Sequence, residues 1–243
     1  MRIGIISDIH SNMEALNTVL EGLRGDVDEI ICLGDIVGYG PNPRECCDIL
    51  RDNKIYSICG NHDSACYDDS LIDYFNPLAR EAIIWTRSQL TQDYLDYLRR
   101  LPFEDVLYGL RIVHGAPGEP FEYITTIQDA RAAFISFDED VCFIGHSHIM
   151  EYFELKKGSV IIRQLPLRNK QELSLEEDKR YIINTGSVGQ PRDGDPRSAC
   201  VIYDTSEKRL TAHRVPYKID IVQKKMQLKG LPQILWERLG VGR

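Results

Sequence analysis

An α/β fold with two β-sheets is the architecture that the apolar pattern of this 243-residue sequence predicts. The opening third alternates short apolar runs with amphipathic periods, in the order strand, helix, strand, helix, strand. That order belongs to a parallel sheet with right-handed crossovers. Beyond about residue 150 the apolar runs follow one another with no long helix between them, which is antiparallel spacing. Polar knots of His, Asp, Asn and Gly stand directly after several runs, where ligands bind in open α/β sheets.

Residues 2–7 form the first strand. Ser11, with Glu14 three positions on, has a capping-box signature. Met13, Leu16, Val19, Leu20 and Leu23 then mark one face of a helix that stops near Gly25. A strand from Glu29 to Leu33 leads into the glycine-rich loop Gly34–Gly40. Asn42 and Pro43 start a second helix, with Glu45 completing its cap, and it runs to about Asp52. Ile55–Cys59 is a third strand and ends at Gly60. Asp8, Asp35 and Asn61 therefore share one edge of this sheet.

Residues 71–101 read as helical, with Asn76-Pro77 as cap and first turn and a second start at Thr91. This insert either packs as an ordinary helix pair, with Phe75 and Trp85 in the core, or lines the active site. Ordinary packing is the expectation. A strand, Leu110–Val113, precedes His114; a helix runs from Thr126 to about Phe137; a strand, Val141–Ile144, precedes Gly145. Tyr152–Leu155 and Ser159–Leu165 form a hairpin. Residues 168–180 are highly charged and expected as a surface loop. Strands follow at 181–184, 199–204 and 210–215, and a short helix, about Pro232–Leu239, comes last. With no repeat, low-complexity tract or linker, one domain over residues 1–243 is expected.

The 29 basic and 37 acidic residues give a formal charge of −8, which argues against a general nucleic-acid or membrane-surface binder. A phosphate substrate stays compatible, because bound divalent metals reverse the local sign. No apolar stretch approaches a membrane span, and the first one is too short for a signal peptide. The seven cysteines lack C-x-x-C spacing, and Cys32, Cys59, Cys142 and Cys200 fall in apolar runs. Reduced core thiols in a cytoplasmic protein are the expectation.

Five of the six histidines, His10, His62, His114, His146 and His148, lie just past strands beside Gly, Asp or Asn. His213, inside a strand pattern, reads as structural. Together with Asp8, Asp35 and Asn61 these side chains offer a mixed oxygen and nitrogen set. Such a set suits manganese, iron, zinc or nickel and is too nitrogen-rich for calcium or magnesium. It also exceeds what one ion needs. Two divalent transition-metal ions about 3.5–4 Å apart, sharing one carboxylate, would use it all.

The blocks Asp8-Ile9-His10, Gly34-Asp35, Gly60-Asn61-His62-Asp63, His114-Gly115 and Gly145-His146-Ser147-His148 resemble, in order, the pattern of the calcineurin-like metallophosphoesterase superfamily: D-x-H, G-D, G-N-H-[DE], H and G-H-x-H. The stretch Asn184–Arg192 looks like the glycine-serine-valine loop of its small prokaryotic phosphodiesterase/phosphatase branch, with Thr185 where proline is common. The resemblance implies a four-layer α-β-β-α sandwich of two mixed sheets flanked by helices, and hydrolysis of phosphate mono- or diesters. It implies that Asp8, His10 and His148 bind one metal, that Asn61, His114 and His146 bind the other, and that Asp35 bridges. A bridging hydroxide would attack phosphorus in line, with His62 assisting the leaving group.

Other positions keep two readings. Asp63 either orients His62 or forms a turn. Asn12 either faces substrate phosphate or caps a helix. Arg192 and Arg197 flank Asp193-Gly194-Asp195-Pro196, as a phosphate clamp or as a turn closed by arginine–aspartate pairs. The Asp-Arg pair that protein Ser/Thr phosphatases carry after the second block is replaced by Ile36-Val37-Gly38-Tyr39-Gly40, which disfavours that activity. Tyr39 either shapes the pocket or packs. The partner expected is a phosphate-ester small molecule or a nucleotide. Nucleotide or dinucleoside-polyphosphate hydrolysis is an alternative within enzymes. A non-catalytic protein-interaction scaffold, as in the retromer subunit of this fold, is the alternative outside them; against it, no ligand of the pattern is missing.

Overall fold

A computed structural model describes residues 1–243. In chain order its elements are β1 (Arg2–Ile6), α1 (Met13–Leu23), β2 (Glu29–Cys32), α2 (Pro43–Asp52), β3 (Tyr56–Ser57), α3 (Asn61–Ala65), α4 (Pro77–Gln89), α5 (Gln92–Arg99), β4 (Glu104–Leu107), β5 (Leu110–Val113), α6 (Ile127–Ala133), β6 (Val141–Ile144), β7 (Met150–Lys156), β8 (Ile162–Pro166), β9 (Glu172–Ser174), β10 (Lys179–Thr185), β11 (Ser198–Asp204), β12 (Arg209–Val215), α7 (Ile219–Leu228) and α8 (Gln233–Glu237). One sheet has the order β3-β2-β1-β11-β12-β9, parallel among β1–β3 and antiparallel beyond. The other has the order β4-β5-β6-β10-β7-β8, parallel only through β5-β6-β10.

The sheets stack face to face because their strands alternate. Ile3 and Ile5 of β1, Phe143 of β6, Tyr181 and Ile183 of β10, and Val201 of β11 meet in an inter-sheet core of 20 buried residues. The opposite faces are apolar too. Ile6, Cys32 and Cys200 pack under α1, α2 and α5, and Cys142, Ile144, Phe153 and Ile182 pack under α6. Strands covered on both sides read as continuous apolar runs, which is why β1, β6 and β10 are conspicuous in the sequence. The result is the four-layer α-β-β-α sandwich. Each buried Ile or Phe contributes on the order of 1.5–3 kcal/mol by leaving water.

Several local expectations are corrected. The cap of α1 is Asn12, whose Oδ1 accepts from Ala15 N–H at 3.1 Å, and not Ser11, whose Oγ has no partner. Residues 168–180 are not all loop: Glu172–Ser174 forms an edge strand on β12. The helix after Thr126 ends at Ala133, and β3 has only two residues. Strand β4 and helix α7 were not anticipated. Neither was the return of β11 and β12 to the first sheet. Phe75 is half-buried and sits edge-on to His62, with centroids 4.8 Å apart, so it belongs to the site wall. No helix is long and apolar enough to cross a membrane. All seven cysteines are buried free thiols.

Candidate metal centre

The loops that leave β1, β2 and β3 run side by side. Asp8 N–H donates to Gly34 O, His10 N–H to Asp35 O and Ser11 N–H to Ile36 O. This ladder sets Asp8 beside Asp35. From the second sheet, Gly145 N–H donates to His114 O, and His146 N–H donates to Asp8 Oδ2 at 3.0 Å, which ties the two sheets together at the site. The turns are tight. Asp8, His10, Asp35, His146 and His148 all have positive φ, between 48° and 66°, a region that costs ordinary residues energy and clusters at functional sites. Two glycines make room. A Cβ on Gly60 would lie 2.1 Å from Asp35 Oδ1, and one on Gly145 would lie 2.5 Å from Asp8 Oδ2.

Two donor groups result. Asp8, His10, Asp35 and His148 offer ligand atoms within 4.8 Å of one another, and so do Asp35, His114 and His146. Asp35 belongs to both. Its Oδ2 lies 3.6 Å from His10 Nε2 and 3.3 Å from His114 Nε2, while Oδ1 accepts from the His62 backbone N–H at 2.9 Å. Asp8 Oδ1 lies 3.0 Å from His148 Nε2.

The imidazoles are oriented by backbone carbonyls. His10 Nδ1 faces Val37 O at 3.2 Å, His114 Nδ1 faces Leu33 O at 2.7 Å, and His148 Nδ1 faces Gln190 O at 2.6 Å. A carbonyl only accepts, so Nδ1 carries the proton of each neutral ring, and Nε2 is the atom left facing inward as a lone pair once any second proton is lost. His146 is reversed: its Nε2 faces Phe121 O at 2.9 Å, which leaves Nδ1 as its free donor atom. His10 Nε2 and His148 Nε2 stand 3.0 Å apart. Two lone pairs that close need a shared proton or cation between them.

Burial and charge point the same way. Burial opposes ionisation of Asp8 and Asp35, but neighbouring histidines, His148 for Asp8 and His114 for Asp35, hold both carboxyls below their ordinary range. Burial lowers His10 and His148 and takes His146 to about 3. His114 goes the other way: burial opposes its charge, yet Asp35 and Asp8 raise it to about 9. One buried imidazolium therefore faces two buried carboxylates. Asp8 Oδ1, Asn61 Oδ1 and His114 Nε2 have no hydrogen-bond partner, although buried polar atoms ordinarily do. A cluster of inward lone pairs with excess negative charge fits divalent cations.

The remaining predicted residues divide. His62 is buried, its pKa taken to about 4 mainly by burial. Its Nδ1 is unpartnered, and its ring lies between Tyr39 and Phe75, at 4.4 and 4.8 Å. Asp63 does not touch that ring. Its oxygens accept from Val37 N–H and Gly60 N–H, each at 3.0 Å, so its geometry is that of a loop staple and cap. Burial and Asp35 push its carboxyl up to about 7. Asn12 is spent likewise, with Oδ1 on the α1 cap and Nδ2 donating to Gly189 O at 2.9 Å. The two arginines part company. Arg197 pairs with Asp195, and Arg214 takes Asp193, whereas Arg192 lies over the Tyr39 ring at 5.6 Å and donates to Gln190 Oε1. Arg192, His62, Asn61 and His146 line one cavity.

Sequence reasoning missed the supports. The carbonyls of Leu33, Val37, Phe121 and Gln190 aim four imidazoles, and a carbonyl leaves no mark on residue type. Tyr123, stacked flat on His146 at 3.8 Å and 11°, was also missed. Its only signal was an aromatic residue in a polar loop after His114. Ser187 Oγ donates to Asp8 O at 2.8 Å, and Asn184 Nδ2 donates to Gly145 O at 2.6 Å, so the 184–190 loop clamps both sheets' ligand turns.

Residues 1–208 match a calcineurin-like phosphoesterase superfamily domain. The chain is 37% identical over 246 residues to an uncharacterised protein of Methanocaldococcus jannaschii, covering 99% of this chain and 98% of that protein. It is 42% identical to a metallophosphoesterase of known structure from Sphaerobacter thermophilus, with a TM-score of 0.88 over 100% of this chain and 99% of the other. A hypothetical protein from Pyrococcus horikoshii shares the fold at 18% identity, with a TM-score of 0.79 over 100% of this chain and 98% of its own.

Proposed function

The chain belongs to the calcineurin-like phosphoesterase superfamily, and we propose that it is a phosphate-ester hydrolase working with two divalent ions of the manganese, iron, zinc and nickel group. Asp8, His10 and His148 would hold one ion, Asn61, His114 and His146 the other, and Asp35 both. The observation that supports this best is the pair of donor groups sharing Asp35, lined with inward, unpartnered oxygen and nitrogen atoms. Once bound, such ions supply positive charge to phosphoryl oxygens and make water acidic near neutral pH.

The chain's own groups do the rest. His62 stands in the cavity beside Asn61, with its backbone fixed by Asp35 and its buried Nδ1 turned towards Gly38. It is placed to hydrogen-bond the leaving-group oxygen. Arg192, free of the aspartates in its own turn, offers its guanidinium to a phosphoryl oxygen. Asp63 holds the loops that carry Asp35 and His62 and takes no part in proton transfer.

Metal analysis and a panel of phosphate mono- and diesters, nucleotides and phosphoproteins test the reading. Asp35→Asn should lose metal and turnover together. Metal-replete protein that is inert on the whole panel would sink the catalytic reading and favour a scaffold.

A further inference from the structure

We infer that the cavity over the centre selects phosphate esters that carry a flat aromatic group, such as a nucleoside base or an aryl ring. The inference rests on the phosphoesterase reading above and names its substrate class. The cavity, about 340 Å³, is walled by Tyr39, Tyr74, Phe75, Phe121 and Tyr123, with Arg192 as its one cation and Glu122 as its one carboxylate.

The phosphoryl group alone does not call for such walls. Phosphate recognition needs cations and N–H donors, and Arg192 and the ions that the ligand cluster would hold already supply them. Aromatic faces left open beside a phosphate site suit a π-system instead. Two rings are open. Tyr74 is 87% exposed, and Tyr123 is 49% exposed. Packing uses little of Tyr74 at 87% exposure. Tyr123 is set in orientation by its stack on His146, and about half of its surface stays open. Phe75 and Tyr39 pack around His62, so a leaving-group oxygen at His62 has aromatic walls next to it. With a single guanidinium, the cavity matches one phosphate joined to an aromatic group better than a polyphosphate chain.

Calorimetry with manganese-loaded protein tests this using phosphonates, whose P–C bond resists hydrolysis. Benzylphosphonate and the phosphonate isostere of adenosine monophosphate are compared with ethylphosphonate. Stacking on an aromatic side chain predicts that the aromatic ligands bind about 10-fold or more tighter. Tighter binding of the adenosine compound assigns the cavity to a base, and equal binding of the two assigns it to a bare ring. Tyr123→Ala and Tyr74→Ala should draw the aromatic-to-alkyl ratio towards one, and Tyr123→Phe should keep it. A merely structural Tyr123 would weaken all three ligands alike and leave the ratio unchanged, which would overturn the assignment. So would a wild-type ratio within about 2-fold, or no binding of any ligand. The ratio is independent of turnover. A retained ratio in a protein inert on esters sinks hydrolysis alone, and hydrolysis with a ratio near one sinks aromatic selection alone.

Discussion

Gly60→Ala probes the joint between fold and metal centre. The backbone at Gly60 has φ −92° and ψ 172°, open to any residue, so alanine brings no dihedral penalty. The added methyl would instead lie 2.1 Å from Asp35 Oδ1 and 2.3 Å from Asp35 N. Reaching even 3.0 Å, a distance below which real Cβ atoms essentially never fall, requires a shift of about 0.9 Å. Overpacking of this kind costs about 1–3 kcal/mol, and at about 2–4 °C per kcal/mol for a chain of this size Tm should fall by about 2–12 °C. Metal sites tolerate only about ±0.2 Å in ligand distance, so the displaced Asp35 should weaken metal binding by about 10-fold or more. Calorimetry in chelator measures the first effect, and competition with a coloured chelator measures the second. Gly22→Ala is the control. Gly22 is an exposed position of α1, and a methyl added there meets nothing within 4 Å, so alanine should stabilise by about 0.5–1 kcal/mol. Unchanged Tm and unchanged metal affinity in Gly60→Ala would refute the placement of Asp35 against Gly60.

Three further outcomes are expected. His62→Gln should keep its metal and lose kcat by about 10²–10⁴-fold; full activity would remove His62 from the chemistry. In the metal-free protein, His114 is raised from 6.5 to about 9 by Asp35 and Asp8 against burial. Its contribution to stability is therefore complete below about 6.5 and is lost as pH rises through about 9. Metal must displace that proton, so affinity should climb with pH across this window, and a chelator titration that is flat from about pH 6.5 to 9 would contradict it. All seven thiols are buried, and burial pushes each of them up. A thiol reagent should therefore label native protein slowly and all seven sites on denaturation; rapid labelling of the native state would count against the core packing.

The candidate ligands were legible because metal binding would restrict residue type and strands restrict position. Asp8, Asp35, Asn61, His114, His146 and His148 each follow a strand; the structure brings the ligand atoms of the aspartates and histidines together and places Asn61 on the cavity wall with His146. What aims them was not legible, since backbone carbonyls carry no residue code. Sheet membership was also hidden. Residues 199–204 and 210–215 read as strands, but alternation says which face is buried and not which sheet a strand joins. Strand β9 has one apolar side chain, Leu173, between Glu172 and Ser174, too little for a period among charges. Helix α7 is a different case. Ile219, Val222 and Met226 keep helical spacing, so the signal is present. Arg192 and Arg197 are equivalent by sequence, both flanking an aspartate pair; only the turn geometry gives Asp195 to Arg197 and leaves Arg192 to the cavity.

The strain at the centre also indicates what the C-terminal half contributes. Five candidate ligands are held at positive φ, each on the order of 1–3 kcal/mol above an ordinary conformation. Two carboxylates are buried there with one imidazolium. Neither arrangement survives unless its surroundings over-determine it. The inter-sheet core supplies general stability, but the specific restraint is the segment after β10. Val188 N–H bonds Ser7 O, Gly189 N–H bonds Asp8 O, and Ser187 Oγ bonds Asp8 O as well. Gln190 O orients His148. None of these residues belongs to the candidate ligand set, yet they fix two of the loops that carry it. The Asn184–Arg192 stretch therefore acts as a brace from the second sheet onto the first sheet's ligand turn, and it ends in Arg192 at the cavity. Val188 is part of the core under α1 and α2, so a substitution there should register in the fold, whereas one at Ser187 or Gln190 should register in metal affinity first, through Asp8 and His148.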